Sequence, residues 1–197
     1  MIDFSAQEKE KLEIYHELLI KWQKAINIVS NKTMDDAWNR HFIDSAQLAK
    51  LLPSRAKTYA DLGCGGGFPG LVLAVMRPDI EMHLIESDER KCQFMRTVAR
   101  EVGVSVNIHT KRIENAHDDV LPDFVTARAL SSLDNLLEYC LPWAVRNKDL
   151  ELCFMKGSRA DEEISQAHAK FSFDCKATQS ITDAGAKILS ISNLAGL

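Results

Sequence analysis

Several protein classes are excluded by what this sequence lacks. No stretch approaches the about 18 consecutive apolar residues that a membrane-crossing helix requires. Prolines number 5 and glycines 9 in 197 residues, which excludes collagen-like and low-complexity chains. The cysteines, Cys64, Cys92, Cys140, Cys153 and Cys175, are widely spread, with no C-x-x-C pair and no Cys/His group at zinc spacing. Reduced thiols and no metal centre are therefore expected. Positive charge is also in deficit: the net charge is −4 and the pI about 5.9. Sequence-independent phosphate binding needs a broad excess of Lys and Arg, so any nucleic-acid contact here must be a local patch. Residues 1–53 are not that patch by charge alone, with seven Lys/Arg against eight Asp/Glu. The opening MIDFSAQEKEK has neither a basic start nor an apolar run behind it, which sets a cytoplasmic location as the expectation.

What is present reads as ordinary globular protein, 46% hydrophobic and 26% charged, long enough for one domain with an extension. From Ser5, the apolar residues Leu12, Tyr15, Leu19, Trp22 and Ile26 recur at steps of 3 and 4, the stripe of an amphipathic helix. Ser5 and Glu8 fit a capping box. A second helix is predicted over 35–52, ended by Pro53, so that two antiparallel helices form an N-terminal extension over residues 1–53.

After Pro53 short apolar strands alternate with helices, the pattern of βαβ units and a parallel sheet. Strands are predicted over 58–62, 82–86, 106–110, 124–127 and 150–155, with helices over 70–76, 89–102, 133–145 and 160–171. Two more strands, 173–179 and 187–192, are separated only by the turn-like TDAGA, which leaves no room for a crossover and predicts antiparallel pairing at one end of the sheet.

The segment TYADLGCGGGFPG, residues 58–70, carries the chemistry. A strand ends in Asp61, glycines alternate at Gly63, Gly65 and Gly67, and Pro69 stands where a helix should begin. Glycine lets the backbone turn tightly and lets a nucleotide-like ligand approach closely. Glu86 closes the next strand, 21 residues after Gly65, near the spacing at which an acid reaches a ribose hydroxyl pair. Dinucleotide sites run G-x-G-x-x-G. Here the register is D-x-G-x-G-x-G, with Phe68 where the dinucleotide pattern has its third glycine, and this acid-led version is similar to the S-adenosylmethionine site of class I methyltransferases.

The segments LLIKWQKAINIVSNKT, WNRHFIDSAQL, DLGCGGGFPGLVLA, LIESDERKCQF, RIENA, DFVTARAL and FMKGSRADEEI run through about residues 12–194. Together they resemble the RsmG (GidB) family of bacterial small-subunit ribosomal RNA guanine-N7 methyltransferases. The chain departs from the family at Asn27, Ile28 and Val29, often Asn-Leu-Thr there, and at Ala186 and Lys187, where an Arg is frequent. The resemblance implies a Rossmann-like α/β fold over 54–197, with a seven-stranded, mostly parallel sheet. It implies S-adenosyl-L-methionine as cofactor and 16S ribosomal RNA or the small subunit as partner, with no membrane and no obligate protein partner. Cofactor contact is implied at Gly63 and Phe68, around Ile113 and Glu114 beside the adenine, and at Arg128. Asp61, Gly65 and Glu86 join them from the loop reading.

Guanine N7 carries an exposed lone pair, so its methylation needs alignment and electrostatics, with no nucleophile and no obligatory general base. The fourth strand ends in Thr126-Ala127-Arg128-Ala129 and lacks the Asn/Asp-Pro-Pro-aromatic motif of amino-group methyltransferases. Cys64 reads as loop backbone, not as an attacking thiolate. Arg128 reads either as a pocket contact or as a salt bridge on the sheet rim. Lys156 and Arg159 follow the fifth strand and suit a phosphate or guanine contact, or a solvated helix start. His41, Asp44 and Ser45 invite a triad reading, but they crowd one helix, whereas a hydrolase nucleophile is presented on a sharp turn. They read as capping and core hydrogen bonding or, by the resemblance, as support for the pocket or the RNA. Lys24, Lys32 and Arg40 are further candidate RNA contacts, Trp22 reads as core, and Asp123 as a turn cap. The rival readings are a small-molecule methyltransferase with a helical lid, a non-catalytic RNA-binding module and an NAD-linked oxidoreductase.

Overall fold

The computed structural model describes residues 2–197. Helix α1 (Ala6–Gln23) opens on the capping box expected of Ser5 and Glu8: Ser5 N–H donates to Glu8 Oε2 at 2.7 Å and Glu8 N–H to Ser5 Oγ at 3.2 Å. Its Leu12, Tyr15 and Leu19 are completely buried, each contributing about 1.5–3 kcal/mol of burial. Trp22 rests on Phe94 with ring centroids 5.7 Å apart, partly buried against the core.

The second predicted helix is not regular. Residues 31–51 wind as a 3₁₀ segment (Asn31–Asp36), a π segment (Trp38–Ile43), the short α2 (Asp44–Ala46) and a second 3₁₀ segment (Gln47–Leu51). The wider π turn changes the facing of successive side chains, so that His41, Phe42, Ser45 and Ala46 are all buried.

The remaining elements are β1 (Thr58–Leu62), α3 (Gly70–Met76), β2 (Glu81–Glu86), α4 (Glu89–Val102), β3 (Asn107–Thr110), β4 (Phe124–Arg128), α5 (Leu133–Arg146), β5 (Glu151–Lys156), α6 (Ala160–Ala167), β6 (Phe171–Gln179) and β7 (Lys187–Gly196). The expected helix over 160–171 stops at Ala167. Phe171 and Phe173 then alternate inward as strand residues, and His168 stacks on Phe173 with centroids 4.1 Å apart. The seven strands form one sheet in the order β3-β2-β1-β4-β5-β7-β6. The first five are parallel, and β7 runs antiparallel to both neighbours, so the last two strands pair at the sheet end as expected.

Strands β1, β2 and β4 are buried along nearly their whole length, as a parallel sheet covered on both faces requires. Edge strand β6 instead alternates buried and exposed at its start, and its outward Asp174 and Lys176 discourage pairing with another chain. One buried cluster joins Leu12, Tyr15 and Leu19 of α1 to Leu71, Phe94 and Val98, so the N-terminal helix closes one face of the sheet. The other face is packed by Leu133, Leu137, Cys140 and Trp143 of α5.

Candidate active site

The strand order reverses between β1 and β4, and open α/β sheets bind ligands outside the carboxyl ends of their strands at such a point. Here a cavity of about 450 Å³ opens there, lined among others by Gly63, Gly65, Gly66, Phe68, His41, Arg128 and Lys156. Its floor is the loop after β1. Gly63, Gly65 and Gly67 stand at φ +57°, +55° and +90°, the left-handed region that glycine enters without steric cost. Two carboxylates tie the loop down. Asp61, fully buried, accepts from Gly70 N–H at 2.8 Å and from Thr126 Oγ at 2.8 Å. Burial pushes its pKa up to about 7 against those two donors. Glu86 accepts from Gly65 N–H at 3.0 Å with one oxygen and from Asp88 N–H at 2.8 Å with the other. The hydroxyl of Tyr15 donates to the Gly66 carbonyl, which fastens α1 to the same loop.

Another wall is a half-buried polar chain around the buried His41. Arg128 Nη2 donates to His41 Nδ1 at 2.9 Å, and Nη1 donates to the Arg40 carbonyl at 2.9 Å and lies 3.5 Å from Asp44 Oδ2. Arginine only donates, so His41 carries its proton on Nε2 and passes it toward Thr33 Oγ at 2.8 Å; that hydroxyl donates to the Ser30 carbonyl at 2.7 Å. Burial first, then Arg128, Arg40 and His16, pull the His41 pKa down to about 3, so the ring is neutral. The Arg128 guanidinium also lies 5.2 Å from the centre of the Phe68 ring, which in turn stacks on Tyr15 at 5.0 Å.

The expected residues thus divide. Gly63, Gly65, Phe68, Arg128, His41, Lys156 and Arg40 line the cavity. Asp61 and Glu86 act from beneath, through the loop. Ile113 and Glu114 form a 3₁₀ turn after β3, outside the lining but at the same sheet end as Glu86, whose register partner is Thr110. Ser45 is turned away: its hydroxyl donates to the His41 carbonyl, leaving no triad. Lys24 and Lys32 do not line the cavity, and Arg159 lines a neighbouring one. Lys156 is tied to Glu163 Oε2 at 2.7 Å, with both side chains largely buried. Asp123 caps the start of β1, accepting from Lys57 N–H at 2.9 Å and Thr58 N–H at 3.1 Å. The Cys64 thiol is buried and its pKa raised, which suits no nucleophile. The sequence reading missed Lys91, which lines the cavity from the first turn of α4, and Glu163; the second has no local signal, since only the fold brings it to Lys156.

The fold is similar to that of a putative O-methyltransferase from Klebsiella pneumoniae, with a TM-score of 0.60 at 14% identity over 98% of this chain and 92% of that one. It is also similar to a ribosomal protein L11 methylase from Lactobacillus delbrueckii subsp. bulgaricus, with a TM-score of 0.58 at 18% identity over 76% of each chain. Sheet order and cavity position together define a class I methyltransferase of Rossmann-like α/β architecture. Residues 8–192 match the GidB family, rRNA small subunit methyltransferase G, and the chain belongs to that family. Ribosomal RNA small subunit methyltransferase G of Parvibaculum lavamentivorans is 42% identical over 100% of this chain and 88% of the relative, and that of Allorhizobium ampelinum 41% over 97% and 92%. No helix of the described residues is long and apolar enough to cross a membrane.

Proposed function

We propose that the chain transfers a methyl group from S-adenosyl-L-methionine to N7 of a specific guanine in small-subunit (16S) ribosomal RNA. The observation that carries this reading is the acid-led glycine loop flooring a cavity of about 450 Å³ at the strand-order reversal, in a chain of the rRNA small subunit methyltransferase G family. The loop passes a direct test of fit. Gly65 lines the cavity, and a Cβ built on it meets nothing nearer than 4.0 Å, so bare backbone faces open space.

Gly63, Gly65, Phe68 and Arg128 would hold the cofactor, with Glu86 toward the ribose hydroxyls and Ile113 and Glu114 beside the adenine. Bound there, S-adenosylmethionine supplies an electrophilic methyl group on a sulfonium. The acceptor nitrogen needs no deprotonation, so the chain's task is to orient and to exclude water. Asp61 and His41 fit that demand, because both are held in hydrogen bonds that build the walls. Residues 1–53 are an extension that completes the site, with 54–197 as the methyltransferase domain. The partner is 16S ribosomal RNA or the small subunit in the cytoplasm, and no protein partner is required.

The test supplies methyl-labelled S-adenosylmethionine to the protein with small subunits from a strain lacking it, followed by nucleoside analysis. Label is expected in 7-methylguanosine. Label in another nucleoside, or none while calorimetry shows cofactor binding, overturns the acceptor assignment.

A further inference from the structure

A second cavity, of about 230 Å³, adjoins the first and shares Ala129, Met155, Lys156 and Gly157 with it. Glu163 and Ser131 line only this second space. At the junction Ala129 stands at φ +52°, an uncommon conformation for a residue other than glycine, and one that clusters at functional sites. We propose that this second cavity is the guanine pocket and that Glu163 reads the base as guanine, an inference resting on the methyl-transfer reading above.

The hydrogen-bond inventory carries the assignment. Lys156 has three N–H donors, of which two are used, by the Ser131 carbonyl at 2.7 Å and Glu163 Oε2 at 2.7 Å. Glu163 Oε2 also accepts from Leu133 N–H at 2.7 Å. Its Oε1 makes no hydrogen bond, and no side-chain oxygen or nitrogen that is sealed from solvent among the described residues lacks a partner, so Oε1 is open. Lys156, which lines both spaces, therefore has one N–H donor to spare, and Glu163, which lines the second, has one carboxylate oxygen without a partner.

Along its edge guanine presents, in order, N7, the O6 acceptor, the N1–H donor and the N2 amine. With N7 at the mouth of the first cavity, O6 falls to Lys156, which lines both spaces, and N1–H to Glu163, which lines only the second. Adenine has its amine where O6 would be and a lone pair on N1, so it meets donor with donor and acceptor with acceptor. The same contact serves the reaction. As the C–S bond breaks and the N7–C bond forms, positive charge passes from sulfur to the purine and its N1–H becomes more acidic. The hydrogen bond to Glu163 therefore strengthens toward the transition state, which is the kind of contact that accelerates.

The experiment uses small subunits reconstituted with guanine, inosine or 2-aminopurine at the methylated position. Inosine keeps O6 and N1–H; 2-aminopurine lacks both. The unmodified protein is expected to methylate the inosine subunit at near the guanine rate and the 2-aminopurine subunit at least about 100-fold more slowly, because two hydrogen bonds to charged groups are lost together, each worth about 10- to 100-fold. Glu163→Gln is expected to slow the guanine subunit by about 10- to 100-fold, the worth of the single contact to Glu163, to leave the 2-aminopurine rate no lower than before, since the amide can donate to its N1 lone pair, and to keep calorimetric cofactor affinity. A merely structural role would lower both rates together, and that result, or equal rates of the unmodified protein on all three subunits, overturns the inference. If the unmodified protein methylates no guanine N7, the methyl-transfer reading itself fails and takes this inference with it.

Discussion

Arg128 holds His41 as a neutral imidazole: its guanidinium donates to Nδ1 at 2.9 Å and so fixes the ring proton on Nε2. A second proton would be buried facing Arg128 and Arg40, and the ring pKa falls from its ordinary 6.5 to about 3. Between those values the unfolded chain binds a proton that the folded chain refuses. The His41 contribution is therefore fully present above about pH 6.5 and is lost as pH falls toward 3, with a limiting slope of about 1.4 kcal/mol per pH unit. His41→Gln, which keeps an acceptor for Arg128, is expected to remove that slope in urea titrations at pH 5, 6 and 7.

Asp61 works in the opposite direction. Its folded pKa is raised to about 7 by burial, so between its ordinary value and 7 the folded chain holds a proton that the unfolded chain has shed, and stability declines as pH rises. The two groups offset each other across about pH 4–6.5. The unmodified protein should vary less with pH there than either variant, with His41→Gln losing stability as pH rises and Asp61→Asn gaining it. Identical slopes in all three proteins would contradict this account of both buried groups.

These two residues also mark what a sequence can show. Asp61, the glycine loop and Glu86 are legible because their residue types and spacing mark the sequence itself, and the strands are legible to within a few residues because burial leaves short, mostly apolar runs between turns. The winding of 31–51 was not legible. It answers to distant partners: Asp44 meets Arg128 on β4 and takes hydrogen bonds from Ser180 and Thr182, which no periodicity within the segment encodes. The pairing of Lys156 with Glu163 is hidden for another reason: the two are near in sequence, but one ends a strand and the other lies in the following helix, so neither strand nor helix periodicity brings them together.

Two of the loop's left-handed glycines, Gly65 and Gly67, should respond differently to alanine. At Gly65 the added Cβ meets open space, so Gly65→Ala is expected to cost about 1–2 kcal/mol of backbone strain while sharply weakening S-adenosylmethionine binding. At Gly67 the Cβ would lie 2.4 Å from Leu71 and 2.9 Å from the Tyr15 hydroxyl. Overpacking then adds to the strain, and Gly67→Ala should lose about 2–5 kcal/mol. Thermal unfolding beside cofactor calorimetry separates the two, and a reversed order of stabilities would refute the argument.

Tyr15 makes the N-terminal helix part of the loop's support. Tyr15→Phe keeps the stack on Phe68 but leaves the Gly66 carbonyl without its donor, at an expected cost of about 1–3 kcal/mol. Cofactor affinity should fall with it, because the loop loses one of its fastenings. Deleting residues 1–53 would strip Leu12, Tyr15 and Leu19 from a shared core. The remaining 54–197 is expected to show no cooperative unfolding transition, whereas a folded fragment that binds S-adenosylmethionine would show that the extension is dispensable.

Lys156 and Arg159 separate once the structure is known. Charge reversal at Lys156 would press a second carboxylate against largely buried Glu163, so loss of methylation there would report damage to the fold. Arg159 is exposed at the start of α6 beside the second cavity, and it is the site where a phosphate contact can be tested cleanly. Arg159→Glu is expected to raise the subunit concentration needed for half-maximal methylation several-fold, to reduce the salt dependence of subunit binding, and to leave S-adenosylmethionine affinity and thermal stability unchanged. Were the variant to bind subunits as the unmodified protein does at every salt concentration, the RNA would have to approach the cavity along another edge, and Arg40 and Lys91 would be the next residues to reverse.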